Sequence, residues 1–548
     1  AAMARVTDVR YARGVRPLPF IASSLSLLLS SSAWAGPRSS CATTALRELP
    51  GNAAFSVGLT TRPTTADVVD SADLPFRVHH NGAAVATDVL AALESAWAVQ
   101  IDGAGFSPPL SDVDDAADGG DADLDVYLSP LPAGIGAVTV SGDDVDDDPR
   151  HDRRAVFIVL DPGQPEDALI AAAHHEFQHA LQFAVDADES VMWFESTAVA
   201  FEVRGRPDLT TWHDALAPFQ TQPQAPLGAD GLSFSRYSTS SDERLEYGAA
   251  LFALYLDDVV GDGDGRLLRE LWTAAAGSDD GTVDTADDNE PDWRDALNEV
   301  ADIATLQRDF LAWRALAPPL TVDDEGPAAY ALGSGGALRG RRIVLENLDG
   351  RLRETGENEG PFAAGCLVVS GTAGRNAAPL FVHAESTVGH PLGITTMIVG
   401  DGRAERVDSD VGTVVSDDVV VPAGFDVVVG ICDLEPWDAD AAPVFSPIRL
   451  SLSRDGTVVV DEPGEGEGEG EGEGEPGDDV IDPGCGCDST SSGPAAGDPR
   501  NMRKGLYAAG FFVGVFGFVV RAWRHGRRQR LYKKQQSSTT TEKKPWQK

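Results

Sequence analysis

His175-Glu176-Phe177-Gln178-His179 lies inside a segment, Pro165–Val185, whose apolar residues recur at helical spacing and whose first turn carries Glu166 and Asp167. Acidic residues in a first turn complement the positive end of a helix. Residues four apart on a helix share one face, one turn apart, so both imidazoles can reach a single metal ion. Glu176 falls one residue along, beside such a metal rather than on it. From there it can take a proton from a water whose pKa the metal has lowered. With 10 histidines in 548 residues, the pattern is expected roughly 0.01 times by chance. His174 points about 100° away from His175 and cannot share the face; it belongs to the surface or to the layer behind the ligands.

A catalytic zinc needs a third protein ligand and one open position. In the longer pattern H-E-x-x-H-x-x-G-x-x-H the glycine position here holds Gln182 and the last histidine position holds Val185, so that arrangement fails. A carboxylate from a following helix is the other arrangement. Met192–Val203 reads as that helix, and Glu195 sits in its first turn within Trp193-Phe194-Glu195-Ser196-Thr197-Ala198. Aromatics before Glu195 anchor the helix, and small residues after it allow close packing on the histidine helix. The loop Asp186–Val191 lets the second helix return antiparallel. Glu202, Asp186 and Asp188 are the alternative ligands.

The combination H-E-F-Q-H-A-L-Q, then W-F-E-S-T-A, resembles the gluzincin group of zinc metalloproteases. It is most similar to secreted metalloproteases of myxobacteria, which carry a D-V-Y-L strand upstream, here Asp125-Val126-Tyr127-Leu128. The resemblance covers residues 52–280. It implies that His175, His179 and Glu195 bind Zn2+, that Glu176 is the general base and acid, and that a protein or peptide is the substrate. No G-x-M-E-N-like exopeptidase motif is present, which points to an endopeptidase. Ser196 stands where such enzymes usually have glycine. Gluzincins commonly stabilise the tetrahedral oxyanion with a downstream Tyr or His; Tyr247, opening an apolar helix, is the candidate, with His213 behind it. The alternative function on the same fold is a catalytically inactive surface adhesin, against which the intact Glu176 argues.

Outward from this centre, short strands are expected at Phe76–His80, Leu124–Leu128, Ile135–Ser141 and Ala155–Leu160. Helices are expected at 86–101, 191–204, 244–258, 265–277 and 303–315. Ile135–Ser141 is a candidate sheet edge for pairing with an extended substrate. After about residue 318 helical periodicity fades and Val-, Thr- and Gly-rich runs such as Cys366-Leu367-Val368-Val369 and Phe425–Val429 take over, which reads as a β-sandwich. Cys366 and Cys432 both fall on its strands, where a disulfide suits an exported protein. The expected fold class is therefore an α+β zincin-like catalytic domain, with a mixed sheet and active-site helices, followed by an all-β sandwich-like domain and a C-terminal transmembrane helix.

The ends set the expected organisation. Arg5, Arg10, Arg13 and Arg16 precede the apolar run Pro19–Leu29, and Ala33-Trp34-Ala35 offers a cleavage site, so 1–35 reads as a signal peptide. The catalytic domain follows over 36–316 and the sandwich over 317–460. A Glu-Gly-rich linker with Cys485-Gly486-Cys487 fills 461–503, an apolar helix 504–522, and a basic cytoplasmic tail 523–548. Linker, apolar helix and Arg-rich tail in series resemble the C-terminal sorting segments of myxobacteria. They imply a cell-envelope location, anchored by that helix or released after processing. The chain carries 43 Lys and Arg against 87 Asp and Glu, a net charge of −44, which disfavours nucleic acid as a partner. Asp112–Asp115, Asp143–Asp148 and Asp262–Gly265 offer the oxygen ligands Ca2+ takes, but none closes an EF-hand loop; a solvated acidic surface is the plainer reading.

Overall fold

The computed structural model describes residues 40–41 and 61–460, apart from 83, 112–120, 133, 145–152, 230–244, 278–290, 357–359, 437–443 and scattered positions between 319 and 335. The chain divides into two units, Ala1–Glu467 and Gly468–Lys548; everything described lies in the first.

β1 (Ser40–Cys41), β2 (Asp67–Asp70), β3 (Phe76–His80), β4 (Leu124–Leu128), β5 (Ile135–Asp144) and β6 (Arg154–Leu160) build one mixed sheet in the order β1-β5-β6-β4-β3-β2. β3, β4 and β6 are parallel, and β5 runs antiparallel to β6 with Thr139 opposite Ile158. A strand buried on both faces needs apolar residues at every position, and β6 supplies them. Val156, Ile158 and Leu160 face the main core, while Phe157 and Val159 join Tyr127, Val138 and Val140 on the other side. Ile135–Ser141 is not the outermost strand: Ser40 and Cys41 pair alongside Ile135 and Ala137.

The helices α1 (Ala86–Gln100), α2 (Glu166–Phe183) and α3 (Val191–Gly205) share the main core with the sheet. Gly205 closes α3 directly over α2. A Cβ there would stand 2.3 Å from His174 Nδ1, so a larger residue would wedge the helices apart. Further helices complete this half: α4 (Leu216–Thr221), α5 (Leu245–Gly248), α6 (Ala250–Tyr255), α7 (Arg266–Ala275), α8 (Trp293–Val300) and α9 (Ile303–Ala315). The single helix expected over 244–258 is thus two short ones followed by a π turn at Leu256–Val260.

α8, absent from the sequence reading, is capped by Asp292, whose carboxylate accepts the backbone N–H of Arg294 and Asp295. Glu189 lies beside it, fully buried, accepting the N–H of Trp293 at 2.8 Å. Burial, and then the charge of Asp292, push the Glu189 carboxyl up to about 8. Between its ordinary value of 4.5 and about 8, the folded chain therefore holds more protons than the unfolded one, and stability falls as pH rises through that window. In Asp292→Asn the Oδ1 cap can persist while the repelling charge is gone. We expect thermal denaturation of this variant to lose part of the decline between pH 5 and pH 8, the burial of Glu189 keeping the rest, and to show a melting temperature at pH 8 above that of wild type.

The second half is a sandwich of a four-stranded and a five-stranded sheet. Its strands are β7 (Arg341–Arg342), β8 (Arg353–Glu354), β9 (Cys366–Thr372), β10 (Ala378–Ser386), β11 (Leu392–Gly400), β12 (Arg403–Asp408), β13 (Val414–Val421), β14 (Asp426–Asp433) and β15 (Ile448–Ser453). Alternation sorts the residues: Leu367, Val369, Leu380, Val382, Ile394, Val427, Val429 and Leu450 fill the space between the sheets. The opposite face of the five-stranded sheet, with Val368, Met397 and Val428, packs on Leu311, Ala312 and Ala315 of α9. Gly430 permits that approach, since a Cβ there would lie 1.8 Å from Leu311 Cδ2. Cys366 and Cys432, directly opposite each other on β9 and β14, are joined by a disulfide.

The fold class therefore needs correction at one point. The chain is a mixed α/β structure with several sheets, and among the described residues no helix is long and apolar enough to cross a membrane. The longest of these, Glu166–Phe183, has 18 residues but carries Glu166, Asp167, Glu176 and three histidines. The expected transmembrane helix at 504–522 lies outside the described residues, as do the signal segment 1–35, the linker and the tail. Anchoring through a C-terminal membrane helix, and the envelope location built on it, are withdrawn.

Candidate metal centre

α2 brings His175 and His179 to one face, and α3 returns antiparallel across it so that Glu195 meets both. Glu195 Oε2 stands 3.1 Å from His175 Nε2 and 3.5 Å from His179 Nε2. All three side chains are buried, and their ligand atoms lie within 4.8 Å of one another. A tetrahedral zinc with bonds of about 2.0–2.1 Å sets neighbouring ligand atoms roughly 3.3 Å apart. The two measured separations bracket that value, so the donor set fits the ion. It is the single such group of three among the described residues.

The electrostatics follow from three buried ligands facing inward. Burial opposes ionisation of Glu195, but the charge of His179 and the hydrogen bond from His175 outweigh it and hold the carboxyl below the ordinary carboxylate range. Burial likewise works against a charged His179, and Glu195 more than offsets it, raising that imidazole. A cation placed among them would take over the role these protons play.

The far side of each imidazole faces a polar side chain, and that of His179 is hydrogen-bonded. His179 Nδ1 donates to Gln182 Oε1 at 2.6 Å. The Gln182 amide is held in turn by donating to Phe194 O at 3.0 Å and Thr197 Oγ1 at 2.8 Å, and Trp272 Nε1 donates to the same hydroxyl at 3.1 Å. With Nδ1 engaged by Gln182, Nε2 is the nitrogen that faces Glu195 and that a metal ion would bind. His175 Nδ1 faces Glu202 Oε2 at 3.8 Å, and Glu202 accepts from Thr211 Oγ1 at 2.7 Å. Such outer partners orient metal-binding histidines. Gln182→Ala is expected to weaken zinc affinity about 10–100-fold in chelator competition, with the fold retained by circular dichroism.

Glu176 is buried, with Oε2 2.8 Å from Thr139 Oγ1 on β5; the same hydroxyl lies 3.0 Å from the Glu176 carbonyl. Tyr247 on α5 stacks beside His175, ring centroids 6.1 Å apart and planes 22° from parallel. The structure thus brings together His175, His179, Glu195 and Tyr247, with Glu176 on the same helix. The alternative ligands fall elsewhere. Asp186 Oδ1 accepts the N–H of Asp188 and Glu189 and shapes the loop, and Asp188 faces Arg154 at 3.6 Å. Glu202 stands behind His175, and His213 packs on Trp212. His174 is buried against Gly205, and burial pushes it down to about 4. Sequence reasoning missed Thr139 and Gln182 as participants. In the sequence Gln182 marks only the break in a longer histidine pattern. The acidic run near Asp262 wraps a chain cation: Arg204 pairs with Asp257 and Asp258 and donates to Gly263 O at 2.7 Å.

No protein-family model and no curated protein matches the chain. Among solved structures, it is similar to the pre-peptidase C-terminal domain of a collagenase from Bacillus anthracis. The identity is 11% and the TM-score 0.14, over 21% of this chain and 95% of that one. A likeness of that size carries no argument about activity. The reading of the site rests on its own geometry.

Proposed function

We propose that the chain is a zinc-dependent endopeptidase. The observation that supports it most is Glu195 Oε2 seated between the Nε2 atoms of His175 and His179, with Glu176 one position along the same helix. Two imidazoles and a carboxylate form a borderline donor set suited to zinc. When bound, the ion supplies Lewis acidity and lowers the pKa of a water.

The chain's own residues divide the remaining work. Glu176 takes the proton from the attacking water and passes it to the departing amine. Thr139, donating to Oε2, orients the carboxylate for that transfer. Tyr247, whose ring stacks beside the same histidine, is the donor for the oxyanion of the tetrahedral state. β5 beyond Ala137, next to Thr139, gives an extended peptide backbone a strand to pair with.

The test uses the purified full chain with casein or a quenched peptide as substrate, and zinc content measured in parallel. Hydrolysis that stops on chelation and returns with zinc is expected. Stoichiometric zinc without hydrolysis of any peptide would instead favour a binding protein. Hydrolysis indifferent to chelation would remove the metal from the mechanism.

A further inference from the structure

The outer face of the four-stranded sheet, where β13, β10 and β15 lie side by side, holds a groove of about 300 Å³. That is the small end of the roughly 300–1,000 Å³ of ligand pockets, room for one side-chain-sized group. Strand pairing sets the floor. Asp418 and Ser453 stand opposite Phe381 on its two sides, so the three form one row across strands about 4.8 Å apart. Gly456 walls one side; a Cβ there would lie 3.5 Å from Phe381 Cδ1. The next row, Ser416, His383 and Ser451, is already committed. His383 Nδ1 lies 2.9 Å from Ser416 Oγ and its Nε2 3.0 Å from Glu385 Oε1, and Ser451 Oγ donates to Gly350 O at 2.6 Å. Asp417 accepts from Thr396 Oγ1 at 2.6 Å.

Two polar groups along this groove are uncommitted. Ser453 lines it and keeps only 4% of its surface exposed, yet its hydroxyl has no hydrogen-bond partner among the described residues. A buried hydroxyl is seldom left so. Asp418 is exposed, and its carboxylate makes no ion pair or hydrogen bond among them either. Between the two lies an aromatic ring, whose face attracts cations. No lysine or arginine among the described residues lines the groove. Arg449 is turned to Glu354 and Glu385, at 3.6 and 3.8 Å. An anion would meet Asp418 as a like charge, and a neutral group would leave that carboxylate without a counter-charge. An ammonium or guanidinium group can donate to Asp418 and to Ser453 while it lies over Phe381.

We infer that this groove binds the arginine or lysine side chain of an extended polypeptide. β13 has no strand on its outer side among the described residues. A peptide backbone can therefore run beside it and present a basic residue across from Asp418, as opposite charges pair across neighbouring strands. The site shares no residue with the metal centre and does not depend on the peptidase reading.

The experiment uses the full chain carrying Glu176→Gln, so that the probe is not consumed. Salt at about 0.15 M screens the general pull of the chain's acidic surface. The probe is a fluorescent acetyl-Gly-Ser-Arg-Ser-Gly amide, read by anisotropy, beside a twin in which uncharged citrulline replaces the arginine. Saturable binding of the arginine peptide is expected. Affinity should fall at least about tenfold for the citrulline twin and in Asp418→Asn, and about 2–5-fold in Phe381→Leu. It should be unchanged in Asp410→Asn, which removes an exposed carboxylate outside the groove. Equal binding of the citrulline twin overturns the proposal, as does the absence of saturable binding. Affinity that survives Asp418→Asn, or falls as far in Asp410→Asn, also overturns it. So does displacement of the probe by spermidine or methyl glucoside at lower concentration than by the unlabelled peptide, which would point to a free polyamine or a sugar. Should Phe381→Leu fail to fold, the citrulline comparison and Asp418→Asn, a change at an exposed side chain, decide the matter.

Discussion

Glu176→Gln is expected to leave zinc bound at wild-type stoichiometry and to lower kcat for peptide hydrolysis by about 10²–10⁴-fold. The carboxamide is nearly the same size, and its oxygen can still accept from Thr139 Oγ1, which lies 2.8 Å from Glu176 Oε2. Packing around this buried residue is therefore preserved. What is lost is the capacity to accept a proton. KM should change little, because the general base does not hold substrate. Steady-state kinetics with metal analysis on the same sample separate the cases. Loss of zinc in this variant would mean that Glu176 helps to hold the ion, and the assignment of roles would have to be redrawn.

Glu195→Ala has the opposite signature. It removes the oxygen that both imidazoles face, at 3.1 and 3.5 Å. Zinc affinity should fall by more than the roughly 10–100-fold that loss of an outer hydrogen-bond partner costs, and activity should fall with occupancy. Calorimetric titration of the demetallated chain reads this directly. The variant also deprives the two buried histidines of their only facing charge from α3's first turn. Without zinc it should therefore be less stable near pH 6 than the demetallated parent, in which His179 is raised by Glu195. That stabilisation is present below the ordinary imidazole value and lost as pH climbs past the raised one. Unchanged zinc affinity would move the third ligand to another residue.

Much of the centre could be read from spacing. Two histidines four apart on a helix must share a face, and a carboxylate three residues into the next helix meets them if that helix returns antiparallel. The strand β4 is legible from its alternation, β6 from its near-continuous apolar residues, and the sandwich from the loss of helical periodicity and the rise of Val, Thr and Gly. The misses have physical causes. Gln182 and Thr139 act through contacts between residues distant in sequence or at unremarkable positions, and no local pattern marks them. α8 is announced by an Asp292 cap but is only eight residues long, too few for periodicity to stand out. The break at Ala249 follows Gly248, which packs so close to its neighbours that a Cβ there would stand 2.4 Å from Ala215 O, and no local pattern marks it. The pairing of Ser40–Cys41 on β5 involves two residues in a polar stretch with no alternation to read.

α9 presents Leu306 and Phe310 to the core beneath the mixed sheet and Leu311, Ala312 and Ala315 to the sandwich. One thirteen-residue helix is thereby a shared rib, part of the first half's interior and the cover of the sandwich's outer sheet face. A chain cut after residue 316 would display a bare oily stripe to water and would clump rather than behave as a free-standing domain. Heating the intact polypeptide should melt both halves in one calorimetric event.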